Sequence, residues 1–72
     1  MKTIDLNGPE GNVFFLMGIA ANLIKQKGHT QVFIDEVMDD MKSKNYHHAL
    51  DVFESHLKDI VTFINDPRIQ QH

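Results

Sequence analysis

Three stretches of this chain combine side-chain types with a spacing that suits chemistry, and each also has a plainer reading. The first is "NGPEGN", Asn7 to Asn12, which sets two glycines and two asparagines ahead of a strongly apolar run. A helix N-terminus offers unpaired N–H groups and the positive end of the dipole, so a hinge of this kind can hold an anion. Asn7, Gly8, Gly11 and Asn12 would form that cradle. The stretch lacks the Gly-x-x-x-x-Gly-Lys-Ser/Thr pattern, and with it the lysine that phosphate loops use. Glu10 complements the helix dipole by itself and opposes a bound phosphate. The same residues also suit a tight turn: Asn caps a helix, Gly tolerates positive φ and Pro fits a first helical turn. Turn and ligand site both remain open.

The second stretch is "YHHALD". His47 and Asp51 are four residues apart, share a helix face and could meet one metal ion, while His48 points elsewhere. A catalytic zinc site needs three protein ligands and an open position. The third would come from His56, Glu54 or another chain, and no His-Glu-x-x-His pattern supports it. Solvated histidines are the plainer reading, so no metal and no cofactor is expected. The third stretch, "DEVMDDM", pairs Asp35 with Asp39 and Glu36 with Asp40 at helical spacing. Like charges so placed cost a few tenths of a kcal/mol per pair, about what a solvated face tolerates. That face is either solvated or an interface for a basic partner. Nucleophilic catalysis has no support: there is no cysteine, and neither Ser43 nor Ser55 sits on a strand-to-helix elbow. A non-enzyme is expected.

The elements that would position these residues follow from hydrophobic periodicity. Thr3–Leu6 alternates as a short strand with Ile4 and Leu6 inward. A helix capped by Asn12 runs to about Lys27, where Gly28 supplies a left-handed stop. Val13, Leu16, Met17, Ala20, Leu23 and Ile24 share one face, and Phe14, Phe15, Gly18, Ile19 and Ala21 carry apolar character most of the way round. A helix that apolar belongs at the centre of a core. Asn22 would then be a buried amide in need of partners. Gly18 costs about 1 kcal/mol relative to alanine, which suggests a close backbone approach. Thr30 caps a second helix whose buried stripe is Val32, Phe33, Ile34, Val37, Met38 and Met41. Asn45 caps a third, with Tyr46, Ala49, Leu50, Phe53, Leu57 and Ile60 inward. Tyr46 is also placed to stack on a planar ligand. Ile60–Asn65 is β-branched and aromatic and reads as a strand.

The expected fold is therefore α+β, in the order β-α-α-α-β, as one domain over 1–66 with a polar tail over 67–72. A chain of 72 residues buries only about 60% of its unfolded surface. A lone two-stranded ribbon also leaves both edges open. Edge pairing of two chains, or helix packing through Phe14, Gly18 and Ala21, would relieve both problems, so a homo-oligomer is expected. The apolar run is shorter than the ~20 residues that span a bilayer, and no signal-peptide pattern opens the chain. No membrane association is expected, and the location expected is the cytoplasm. A net charge of −3 with scattered lysines argues against nucleic-acid binding.

The segment "IDLNGPEGNVFFLMGIA" resembles the opening of a group of small proteins encoded by tailed bacteriophages and prophages, which begin with a DLNGP-[DE]-GN-type motif. "MKSKNYHHALDVFESHLKDIVTFI" is similar to their second half, so the resemblance covers most of the chain. No catalytic or binding residues carry over with it. It implies a phage accessory protein in the host bacterial cytoplasm that counters a host defence system. Two modes are open. One is sequestration of a small nucleotide-derived signal between subunits, with Asn7, Gly8, Gly11 and Asn12 on phosphates, Tyr46 stacking, and Lys25 and Lys27 reaching in from a second chain. The other is inhibition of a host protein through Asp35, Glu36, Asp39 and Asp40.

Overall fold

The computed structural model describes residues 1–69. In chain order it contains strand β1 (Lys2–Asp5), a 3-10 turn at Pro9–Gly11, and helices α1 (Val13–Gln26), α2 (Gln31–Lys42) and α3 (Tyr46–Leu57). Strand β2 (Val61–Ile64) and a second 3-10 turn at Pro67–Ile69 follow. The fold is α+β, in the expected β-α-α-α-β order. Each helix starts where a polar cap stops the preceding chain. Asn12 Oδ1 accepts from the Phe14 N–H, Thr30 Oγ1 from Phe33 and Asn45 Oδ1 from His48, at 2.8, 3.2 and 2.9 Å. Such caps satisfy N–H groups that the helix itself leaves unpaired. α1 ends at Lys27, and Gly28 follows with φ of +94°.

The two strands run parallel, with Lys2 opposite Val61 and Asp5 opposite Ile64. A parallel pair needs a long crossover, and all three helices provide it. Parallel pairing also brings both strands out at the same end of the ribbon. The hinge after β1 and the turn after β2 are therefore neighbours.

Ile4, Leu16, Ile24, Met41, Leu50, Phe53 and Leu57 are fully enclosed between the ribbon and the helices. Lys27 fastens the far end of α1 through its Nζ, which donates to the Asp59 carboxylate and the His56 carbonyl at 2.9 and 3.0 Å. Among the described residues no helix is long and apolar enough to cross a membrane.

The chain departs from its periodicity in three places, all on helix outer faces. Leu16, Ala20 and Ile24 make the buried stripe of α1, but Phe14 is 73% exposed and Phe15 54%. α1 is thus enclosed on one side only, not all round. Asn22 lies on the exposed side and needs no internal partner. Val32, expected in the buried stripe of α2, is 69% exposed. At about 100° per residue it lies on the face of α2 opposite Ile34, Val37 and Met41. A Cβ added at Gly18 would meet no described atom within 4 Å, so the close approach expected there does not occur among the described residues.

Candidate functional site

The hinge is built from the backbone outward. Asp5 is its organiser: its carbonyl accepts from the Gly8 N–H at 3.0 Å, and its Oδ1 from the Asn7 N–H at 2.9 Å. The same Oδ1 also accepts from Asn65 Nδ2, reaching across from the end of β2, at 2.8 Å. Those two hydrogen bonds, Asn65's first, hold the Asp5 carboxyl below its usual range. The Gly11 N–H donates to the Gly8 carbonyl, and the Asn12 N–H to that of Pro9. Asn7, Gly8, Gly11, Asn12 and Phe14 therefore all spend their N–H groups inside the turn. Gly11 is packed to contact, since a Cβ there would fall 2.1 Å from the Leu6 carbonyl oxygen.

Tyr46 closes the hinge from the other side by donating its hydroxyl to the Gly11 carbonyl. Burial, and then the nearby Asp66 carboxylate, push the phenol above its ordinary range, so it stays a donor. Asn7 and Tyr46 line one groove of about 440 Å³ together with Leu6, Asn65, Asp66, Pro67 and Ile69. Gly8, Gly11 and Asn12 do not line it. Among its described lining residues Asp66 carries the charge. That carboxylate is 7% exposed and is held by Arg68, whose backbone N–H donates to it at 2.9 Å and whose guanidinium also grips it. These bonds keep the Asp66 carboxyl well below its usual range. Two amides and a paired carboxylate suit hydrogen-bonding neutral groups; they do not suit phosphate.

Arg68 is the residue that reading the chain as a tail passed over. It is the single arginine, and it folds back over the Phe63 ring onto Asp66, Asp51 and Glu54. Asp51 and Glu54, weighed as metal ligands beside His47, are engaged there at 2.7 and 3.0 Å. His47 is exposed. His48 Nε2 lies 2.8 Å from Asp40 Oδ1, and this contact is the main reason the Asp40 carboxyl sits below its usual range. The His56 ring packs on Phe33. Among the described residues no group of His, Cys, Asp or Glu is arranged to hold a metal ion. Residues 70–72, the rest of the expected tail and its His72, lie outside the described residues.

A second groove, of about 350 Å³, lies on the far side of Tyr46, which lines both. Its floor is Val13, Phe14 and Met17 from α1, with Met41 and Tyr46. Its rim is Lys42, Lys44 and Asn45 at the α2–α3 corner. Two aromatic residues and two lysines line it, and the Lys42 ammonium lies 3.9 Å from Asp39 Oδ1. The corner is short because Ser43 ends α2, its N–H on the Asp40 carbonyl at 3.1 Å, and Asn45 already caps α3. That shortness brings both lysines to one rim. Nothing in the spacing of Lys42, Lys44 and Phe14 marks them as neighbours; their shared groove depends on how α1 crosses the corner. The remaining interface candidates divide by face: Ala21 is half-buried beside exposed Gly18 on α1, and Asp35 and Asp39 stand exposed on α2. The chain matches no family model, no curated protein and no solved structure.

Proposed function

We propose that this chain is a non-catalytic binding protein that captures a small aromatic anion of the nucleotide class in the groove of Phe14, Tyr46, Lys42 and Lys44. The observation that carries this reading is the meeting of two aromatic side chains and two lysines around one groove on a chain of net charge −3. An exposed ring gives a base a stacking platform, worth about 1–3 kcal/mol per base where measured by alanine substitution. Lysine ammoniums neutralise phosphate as point charges. Capture without turnover requires no nucleophile and no general base. In the setting implied by the phage resemblance, such capture in the bacterial cytoplasm withdraws a host signalling nucleotide and so counters a defence system. Asn7, Gly8, Gly11 and Asn12 then act as the scaffold that holds Tyr46 and the start of α1 in place.

The test is native mass spectrometry of the protein with a panel of linear and cyclic nucleotides. Retention of one nucleotide per groove is expected, with loss in the Lys42→Glu/Lys44→Glu double variant and weakening in Phe14→Ala. A wild-type protein that ignores the whole panel refutes the reading. A second reading is supported by the exposure of Asp35, Glu36, Asp39 and Asp40 along α2: inhibition of a basic host protein. Charge reversal at Asp35 and Glu36, which leaves Lys42 and its Asp39 neighbour untouched, would abolish that inhibition and leave nucleotide binding intact.

A further inference from the structure

The outer face of α1 leaves two adjacent aromatic side chains in water. Phe14 and Phe15 flank a strip along which Gly18, Asn22 and Lys25 point outward. At 73% and 54% exposure the two rings leave on the order of 250 Å² uncovered, side by side on one helix face. We infer that a second copy of this chain covers the strip, with the two α1 helices antiparallel about a two-fold axis at Gly18, and that each copy delivers its Lys25 to the other's Phe14–Lys42–Lys44 groove.

The pattern of side chains along the strip argues for this occupant and this direction. A two-fold interface pairs the same patch with itself, so it needs self-complementarity. Antiparallel pairing about Gly18 sets Phe14 and Phe15 of one copy against Ala21 and Asn22 of the other, bulky on small. Parallel pairing would set ring on ring. Gly18, which has no described atom near its missing Cβ, lets the two backbones approach. Charge points the same way. Lys25 is the ionisable residue on the strip, and α2's carboxylates lie on a different helix. With a rise of about 1.5 Å per residue, antiparallel pairing separates the two Lys25 positions by about 20 Å along the axis, whereas parallel pairing puts them side by side. It also opposes the helix dipoles.

Turning about 100° per residue, Lys25 lies on the same flank of α1 as Phe14, the flank that faces the second groove. A two-fold axis perpendicular to the paired helices preserves that flank. Each Lys25 therefore lands beside Phe14 of the other copy, next to Lys42 and Lys44. The groove alone offers two lysines, Lys42 with Asp39 Oδ1 3.9 Å from its ammonium; the pair offers three. Three like charges oppose the unliganded dimer, and an anion between them favours it. A standard interface buries about 800 Å² per partner, about a sixth of the 4706 Å² that this chain exposes. The strip and the rim of the groove have to supply that area together.

The inference rests on the proposed ligand reading for its anion and on the strip alone for its dimer, and the experiment separates the two. The chain has no cysteine, so single cysteines report proximity directly. Gly18→Cys is expected to cross-link to itself on mild oxidation. Phe14→Cys is expected to cross-link in a mixture with Asn22→Cys and not alone. By sedimentation, Phe14→Ser/Phe15→Ser weakens association at least about 30-fold, as loss of central anchor residues does. Lys25→Glu tightens the dimer without ligand, by relieving the lysine cluster, and removes the tightening that inorganic pyrophosphate gives the wild type at fixed ionic strength. A monomer at all concentrations overturns the inference. So does a Gly18→Cys protein that stays uncross-linked, a Phe14→Cys protein that links to itself, or a Lys25→Glu dimer no tighter than wild type. If the cross-links and the Lys25→Glu effect appear but pyrophosphate and the nucleotide panel change nothing, the dimer stands and the ligand reading falls.

Discussion

Gly11 and Gly18 lie at the start and middle of the same apolar stretch, yet a methyl group added at each would meet opposite surroundings. At Gly11 it would fall 2.1 Å from a backbone oxygen that cannot move without breaking the turn; at Gly18 it would meet nothing described within 4 Å. The first belongs to a closed end of the molecule, where both strands exit and Asp5, Asn65, Tyr46, Asp66 and Arg68 saturate one another. The second belongs to an open face on which Phe14 and Phe15 stand largely exposed among the described residues. Glycine is explained by the fold at the closed end. On the open face it is a cost to the monomer that no described neighbour accounts for, and the proposed dimer would account for it.

The sharpest way to break the comparison is at Gly11. Gly11→Ala should cost about 3 kcal/mol or more, because the clash is with backbone and offers no rotamer escape. Gly8→Ala, whose new Cβ would sit at an ordinary 3.4 Å from the Asp5 carbonyl oxygen, should cost well under that. Urea melts of the pair measure the difference. If Gly11→Ala unfolds no more readily than Gly8→Ala, the closed end is looser than its contacts indicate.

Arg68 is the next test. Arg68→Ala leaves the Asp66 carboxylate buried with fewer partners and should cost about 2–3 kcal/mol, less than a fully buried pair because Asp51 and Glu54 are solvated. The pH dependence has a definite sign. Hydrogen bonds from Arg68 hold the Asp66 carboxyl below its unfolded value. The pair therefore adds stability above the ordinary carboxyl range, near pH 4, and loses it as pH falls further toward the folded value. Thermal melts between neutral pH and strong acid should show a steeper acid decline in the wild type than in Arg68→Ala. Parallel curves would mean that Asp66 does not depend on its arginine.

Tyr46 joins the two regions, since it closes the hinge and forms a wall of both grooves. Tyr46→Phe removes one hydrogen bond and leaves the ring, so about 1 kcal/mol of stability should go. Stacking in the second groove should be retained. Tyr46→Ala should lose both, and nucleotide titration of the two variants separates the roles.

The three caps, the left-handed Gly28 and the order of elements could all be read from residue type and spacing, because each depends on neighbours close in sequence. The direction of the ribbon could not. Nothing in "KTID" or "VTFI" distinguishes a parallel from an antiparallel partner, and that one choice brings Asn65 and Asp66 to the hinge. Asn7 and Tyr46 were identifiable as polar or aromatic residues at helix approaches, and the fold does bring them together. Arg68 was not, since the pull of three carboxylates is visible only once β2 has carried it alongside α3. The exposure of Phe14, Phe15 and Asn22 has the same origin, whereas that of Val32 follows from the helical period, which sets it opposite Ile34, Val37 and Met41. Periodicity marks which residues share a face, but how much of an apolar circumference is covered depends on how many elements pack around it, and among the described residues α1 has neighbours on one side only.

The smallest expected effect carries the most information about the open face. Alanine is favoured over glycine in a helix interior by about 0.8–1 kcal/mol, and nothing described stands where the new methyl group would go. Gly18→Ala should therefore raise the thermal midpoint of dilute, monomeric protein by a few degrees. At high concentration the same methyl group should hold two α1 helices apart and weaken their association. A gain that persists at every concentration would leave Gly18 an unfavourable residue with no partner to explain it. A gain that shrinks or reverses as the protein is concentrated would mean that the open face closes on a second copy, because a side chain harmless to one molecule can be costly only where two meet.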